Sequence, residues 1–396
     1  MNDCTSLNKE NKISTFGINE IYTFFLVVSP ILFTYGTGVG SITLSDMFLM
    51  IFNVILLFKG LIRGKISVFT NLLPFLFYIT ILTLTKEFNQ DVWMRTFRYV
   101  FYLVNIIFYV KAHFNFHFGV RVYRLISLIS TGFLFLQIFF YRLLGVYIPG
   151  VIVSANLTAP DLYVYNKTFQ LAQVKRFMSF FEEPSHFAIY ILGYITILLF
   201  SKMKNGDFLK KDIIEFCFLS AGLALSTSIL GVMVLGAMLS LWMATNLFKN
   251  KKNFSRLLLF IFVLIIAVFL ISQTAAFEYF TNPSVINRQA EGRVGGYTLL
   301  NDQAKTINLD VFGRGMKKIS YGIYLASYPL LLYYFGYFGL CLFIIAFIPY
   351  FKRRKMNVST ALLICLFTIS IGSEILLGRF ILIFLPFIIQ AKTVSK

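Results

Sequence analysis

The residues best equipped for chemistry gather in "KRFMSFFEEPSHF", residues 175–187. Glu182 and Glu183 are adjacent carboxylates, and a carboxylate can take the proton of a sugar hydroxyl as that hydroxyl attacks. Arg176 carries a planar fork of donors that matches a phosphate bidentately. His186, three residues past Glu183, is a further group able to move a proton near neutral pH. A plainer account competes with this one. Pro184 suits the first turn of a helix, and acidic residues just before it complement the helix dipole. On that account the glutamates cap a helix and His186 is a polar packing residue.

Other cations lie in an apolar run and in a long polar connection. Arg95 and Arg98 in "WMRTFRYVF" are one helical turn apart and share a face. Arg288, Arg293 and Arg314 sit in "NRQAEGRVGGYTLLNDQAKTINLDVFGRG". Glu374 and Arg379 in "SEILLGRF" read as a local ion pair. There is no Gly-rich loop ending in Lys-Ser/Thr for nucleotide phosphates. His113, His117 and His186 do not form a metal-ligand set, and the four cysteines show neither disulfide nor metal spacing. The expectation is chemistry without a metal and without a cofactor.

The elements that must position these groups are membrane helices. Hydrophobic residues make up 58% of the 396 and charged residues only 13%, more apolar surface than a soluble fold of this length needs. Repeated apolar runs predict an all-α polytopic membrane protein of about twelve spans. They fall near 21–38, 42–58, 67–85, 93–110, 124–146, 185–201, 212–227, 229–247, 256–272, 326–350, 357–374 and 376–391. The polar first 20 residues lack a signal-peptide pattern, so the first span reads as an uncleaved anchor. A formal charge of +19 is the kind that nucleic-acid binders carry, but most cations lie in alternate short connections between the spans. That is a topological signature, and it argues against nucleic acid. It places both termini in the cytoplasm and two long connections, about 147–184 and 273–325, on the exported side. No repeat or linker divides the chain, so residues 1–396 read as one membrane domain.

Cations on the exported side run against that tendency and call for an anionic ligand reached from the outer leaflet. A lipid pyrophosphate fits. The motifs then take on a family character. "RFMSFFEEPSHFAIYIL" resembles the Arg…Phe-Glu-Pro-Ser signature of bacterial polysaccharide polymerases of the O-antigen (Wzy) type. "LALSTSILGVMVLG", "GRVGGYTLLNDQAKTINLDVFGRG" and "SYPLLLYYFGYFGLCLF" resemble their following Ser-rich helix pair, large exported loop and Gly-x-x-Gly helix. The likeness covers roughly residues 170–345, in order.

That resemblance implies a glycosyltransferase in the bacterial cytoplasmic (inner) membrane, joining undecaprenyl-pyrophosphate-linked oligosaccharide repeat units at its outer face. Its partners would be those lipid-linked glycans and membrane lipids, with a flippase and a chain-length regulator alongside. The family's exported arginines carry over to Arg176 and Arg293. Arg288 is a neighbour, and Arg314 lies in the Phe-Gly-x-Gly. The related O-antigen ligases place a His eleven residues before the first Gly of Gly-x-x-Gly. Here Gly336 and Gly339 supply the glycines and position 325 is Leu, which favours polymerase over ligase. A transporter of lipid-linked glycans is the other alternative. It would place polar groups near the midplane, whereas these cations sit at one rim.

Overall fold

In a computed structural model of the protein, the described residues are 17–37, 42–63, 68–85, 90–150, 177–202, 209–246, 283, 287, 296–298, 311–317, 325–351 and 356–394. These are mostly helical, and none forms a named strand. In chain order the helices are α1 Ile18–Leu32, α2 Leu44–Arg63, α3 Leu73–Thr85, α4 Gln90–Phe108, α5 Val110–His113 and α6 Phe116–Leu144. They continue as α7 Pro184–Ile197, α8 Lys210–Leu225, α9 Ile229–Asn246, α10 Ser327–Ile345, α11 Ile348–Phe351, α12 Val358–Ser370 and α13 Ile381–Val394. Helix occurs at every predicted span except 256–272, which lies outside the described residues.

Three described helical segments are long and apolar enough to cross a membrane: Phe116–Leu144, Pro184–Ser201 and Ser327–Phe351. Several of the others are too short or too polar. α3 and α12 have 13 residues each. At about 1.5 Å per residue they rise roughly 20 Å, less than a hydrocarbon core of about 30 Å. In α4 the polar run Gln90, Asp91, Arg95 and Arg98 breaks the apolar pattern.

α7 is the hub. Its window is 83% buried, against 33% for α6 and 44% for Ser327–Phe351. Ile189, Tyr190, Ile191, Leu192, Tyr194 and Ile195 are all buried, the pattern of a helix apolar on every face. It packs against α6, α8, α9 and α12. Gly193 lets α6 approach closely: a Cβ there would lie 2.3 Å from the Tyr123 hydroxyl. That hydroxyl donates to the Tyr190 carbonyl at 2.6 Å. Small residues at such crossings let helix backbones pack tightly where lipid supplies no hydrophobic drive.

Caps and side-chain clamps hold the connections around α7. Thr43 and Asp46 cap α2 reciprocally, each side chain accepting from the other's backbone N–H (3.3 and 3.0 Å). Before α7, Ser179 takes a left-handed backbone with φ 54°. Its N–H donates to Gln137 Oε1 (3.0 Å) and its hydroxyl to the Ser130 carbonyl (2.6 Å), contacts that offset the strain. At the start of α10, Ser327 fastens the 371–380 connection. Its N–H and hydroxyl donate to the Ser373 carbonyl (2.9 and 2.6 Å), and its oxygen accepts from Leu376 N–H (3.1 Å).

α10 is broken at Gly336, whose φ of 64° and ψ of −175° are not helical. The break frees the backbone groups around it, and the segment 311–317 takes them. Arg314 and Gly315 donate to the carbonyls of Tyr333 (3.2 Å) and Tyr334 (2.8 Å), while Phe338 N–H donates back to Val311 (3.1 Å). Tyr78 on α3 donates its hydroxyl to the Phe312 carbonyl at 2.5 Å. Only glycine fits at 313. Its φ is 72°, and a Cβ would lie 2.4 Å from Gly336 N.

Candidate functional site

A cavity of about 710 Å³ opens where the connection before α7, α4, α10 and the 371–380 connection meet. Its wall includes Glu182, Glu183, His186, Arg95 and Arg98. Five of the sequence-predicted residues, from two regions some ninety positions apart, therefore share one space. Arg314 is in the segment 311–317 but not on the cavity wall; its guanidinium lies 5.5 Å from the Tyr333 ring centre. Arg176, Arg288 and Arg293 lie outside the described residues.

The centre of the polar wall is Arg379, just before α13. Its Nη2 donates to Glu182 Oε2 and, at 2.9 Å, to His186 Nδ1. With a donor on that side, Nδ1 is the acceptor and the imidazole proton belongs on Nε2. His186 and Glu182 are 3.6 Å apart, a contact that this tautomer does not make into a hydrogen bond. The guanidinium sits 4.6 Å from the Phe33 ring centre and 5.7 Å from that of Phe380, cation–π distances that fix its plane. Nη1 is buried and has no hydrogen-bond partner.

Besides Glu374, its expected local partner, which it influences electrostatically, Arg379 makes a long-range ion pair. Arg379 reaches across the bundle to Glu182, 197 positions earlier in the chain.

Glu183 occupies the N-cap position of α7, with Pro184 in the first turn as predicted, yet its side chain makes no capping bond. Its Oε2 instead accepts the Ser185 hydroxyl at 2.8 Å. The capping account thus holds for the backbone and not for the carboxylate, which stays on the cavity wall.

Arg98 is held inward. Its Nε lies 3.2 Å from Asp46 Oδ2, and its guanidinium 5.6 Å from the Phe33 ring centre. Tyr102 donates to the other Asp46 oxygen at 2.7 Å. The α2 capping carboxylate thus also anchors the arginine. Arg95, one turn earlier, lines the same cavity together with Tyr334.

Glu374, in the connection outside α12 and α13, faces the cavity and is exposed to it. It nevertheless stands deep among protein atoms. That surrounding, then Glu183, raises its carboxyl above the usual range; Arg379 opposes this and Glu182 adds to it.

No family model, curated protein or solved structure matches this chain significantly. The chemistry is therefore read from the cavity itself: three arginines beside three carboxylates, one buried guanidinium nitrogen unbonded, and aromatic rings fixing the cations. Such a wall can hold an anionic group, orient a hydroxyl and accept its proton.

The sequence reading missed Arg379 and Glu374 as members of this site. A signal was present. Both are ionisable residues inside an otherwise apolar stretch near 371–391, and such residues are functional candidates by default. Asp46 and Phe33 gave no comparable signal, because one looks like a cap and the other like core.

Proposed function

We propose that the protein is a polysaccharide polymerase of the bacterial cytoplasmic membrane. It joins undecaprenyl-pyrophosphate-linked repeat units at the outer face, as the resemblance in its motifs implies. The observation that carries this reading is the convergence of Arg95, Arg98 and Arg379 with Glu182, Glu183 and Glu374 on one cavity. An acceptor hydroxyl attacks the anomeric carbon of the donor. The new C–O bond forms as the bond to the lipid pyrophosphate breaks, and the pyrophosphate leaves with the electron pair. Glu183, on the cavity wall and not engaged in capping, orients the acceptor hydroxyl and takes its proton. The arginines stabilise the charge that grows on the departing group.

Arg176 and Arg293 belong to the same reading through their motif match, as further contacts to the pyrophosphate. Both termini then face the cytoplasm. The reaction draws its energy from the sugar–phosphate bond and uses no metal or cofactor.

The direct test is the glycan profile of a strain lacking this chain. Single repeat units in place of a ladder are expected. A normal ladder would end the polymerase reading. Accumulation of lipid-linked units on the cytoplasmic side, with none exported, would favour a transporter instead.

A further inference from the structure

Arg379 is a tightly constrained cation of the cavity with one guanidinium nitrogen left unbonded. Its side chain is only 8% exposed. Its plane is fixed by Phe33 and Phe380. Nη2 serves both Glu182 and His186, while Nη1 is buried and bonded to nothing. A guanidinium is a fork built for two parallel bonds to one oxyanion, and Glu182 engages it through Nη2 alone. A buried donor left without a partner is unfavourable. The contact to Glu182 is therefore a poorer match than a phosphate would make through Nη1 and Nη2 together.

We propose that Glu182 is an internal competitor: it occupies Arg379 in the empty site and is displaced when a phosphate-bearing headgroup takes both nitrogens of the fork. This rests on the reading above, in which the cavity receives a lipid pyrophosphate. The surroundings suit the exchange. Arg95 and Arg98 on the same wall add positive charge. Arg98 is itself held by Asp46, so its charge is partly answered, and Arg379 is the cation with a vacant donor. Glu183 and Glu374 oppose a second negative charge nearby. Displaced Glu182 remains within the cavity beside His186.

The exchange gives the site a way to let go of its product. A fork that bound pyrophosphate with no rival would hold the released lipid pyrophosphate and block the next cycle. A carboxylate that returns to Nη2 lowers the net affinity by its own binding. Reciprocity requires the same coupling in both directions.

The experiment uses the full chain purified in detergent, with inorganic pyrophosphate and farnesyl pyrophosphate as separate probes in equilibrium titrations. Glu182→Gln keeps an acceptor oxygen and removes the competing charge. It is expected to bind farnesyl pyrophosphate at least about five-fold tighter than wild type. Arg379→Lys keeps the charge and loses the fork, and is expected to abolish that gain when combined with Glu182→Gln. If the lysine variant does not fold, as judged by size-exclusion profile, Glu182→Gln alone decides. Unchanged or weaker binding in folded Glu182→Gln overturns the proposal, because a merely structural ion pair predicts that result. Undetectable binding of both probes by both proteins also overturns it. Farnesyl pyrophosphate binding more tightly than inorganic pyrophosphate is expected for a lipid headgroup; equal or weaker binding overturns that source. No glycan is used, so failure here is separate from a normal ladder in the deletion strain, which would strike the polymerase reading instead.

Discussion

Arg124 and Arg379 each meet a glutamate from another helix, and the two meetings differ in what is left over. Arg124 on α6 donates from Nε to both oxygens of Glu215 on α8 (2.9 Å each), with Nη2 2.8 Å from Oε2. Tyr194 of α7 donates its hydroxyl to Oε1 at 2.6 Å. Both glutamate oxygens are thus answered, and the arginine side chain is 44% exposed. At Arg379 the carboxylate contacts one nitrogen, the imidazole shares it, and a second nitrogen is buried with nothing to bond. The first cluster ties three helices together and is complete. The second borders a cavity and is incomplete, and a cluster kept incomplete beside open space is one that a ligand can finish.

The sharpest way to break this contrast is at Glu183, where the largest effect is expected. Glu183→Gln and Glu183→Asn should lower elongation about 100-fold or more, the lower range for loss of a general base. Glu183→Asp should keep part of the activity. Because the native side chain makes no capping bond, none of the three should change the amount of folded protein. If Glu183→Asn builds a normal polymer ladder at equal protein in the membrane, the carboxylate carries no proton.

The complete cluster should respond in the opposite way. Glu215→Ala leaves the Tyr194 hydroxyl buried without its acceptor, which costs about 1–3 kcal/mol. The exposed half of Arg124 limits any further loss. Thermal unfolding in detergent should show the destabilisation, while elongation per folded molecule stays within about two-fold of wild type, since additive sites at a distance behave independently. A large loss of elongation without a loss of stability would show that the two clusters are not separate in function.

The smallest effect concerns Glu374. Its carboxyl titrates above the usual carboxylate range in the folded protein. The folded state therefore holds a proton more tightly than the unfolded chain. The stability this contributes is present below the ordinary carboxylate pKa and is lost as pH rises through the raised one. Glu374→Gln cannot ionise. It should match wild type in acid and exceed it increasingly toward neutral pH, read as a difference in melting temperature between the two pH values. A difference that shrinks as pH rises would reverse the assigned direction.

Much of the site was legible where its residues are close in sequence. The Glu-Glu-Pro-Ser-His run marks its own helix start, and Arg95 and Arg98 declare a common face by spacing alone. The apolar runs locate helices well because burial and chain geometry act locally. What joins them is not local. Glu182 and Arg379 meet only because α7 stands at the centre of the bundle and the 371–380 connection is tied to α10 through Ser327. No periodicity encodes that meeting, and Glu374 is the nearer glutamate in sequence. The break in α10 was equally hidden. Gly336 looks like any small residue of a packed helix until the segment 311–317 is seen to replace its missing bonds.

That replacement bears on how such a protein can diversify. The segment 311–317 is attached chiefly through peptide groups, with Arg314, Gly315 and Val311 bonding the chain of α10 by their backbones. Side chains at 311, 312 and 314 can therefore change identity while the attachment persists. The constraint falls on Gly313 and Gly336, where a Cβ or a lost left-handed conformation would push the two backbones apart. A segment fastened in this way can change its exposed side chains and keep the same attachment to α10.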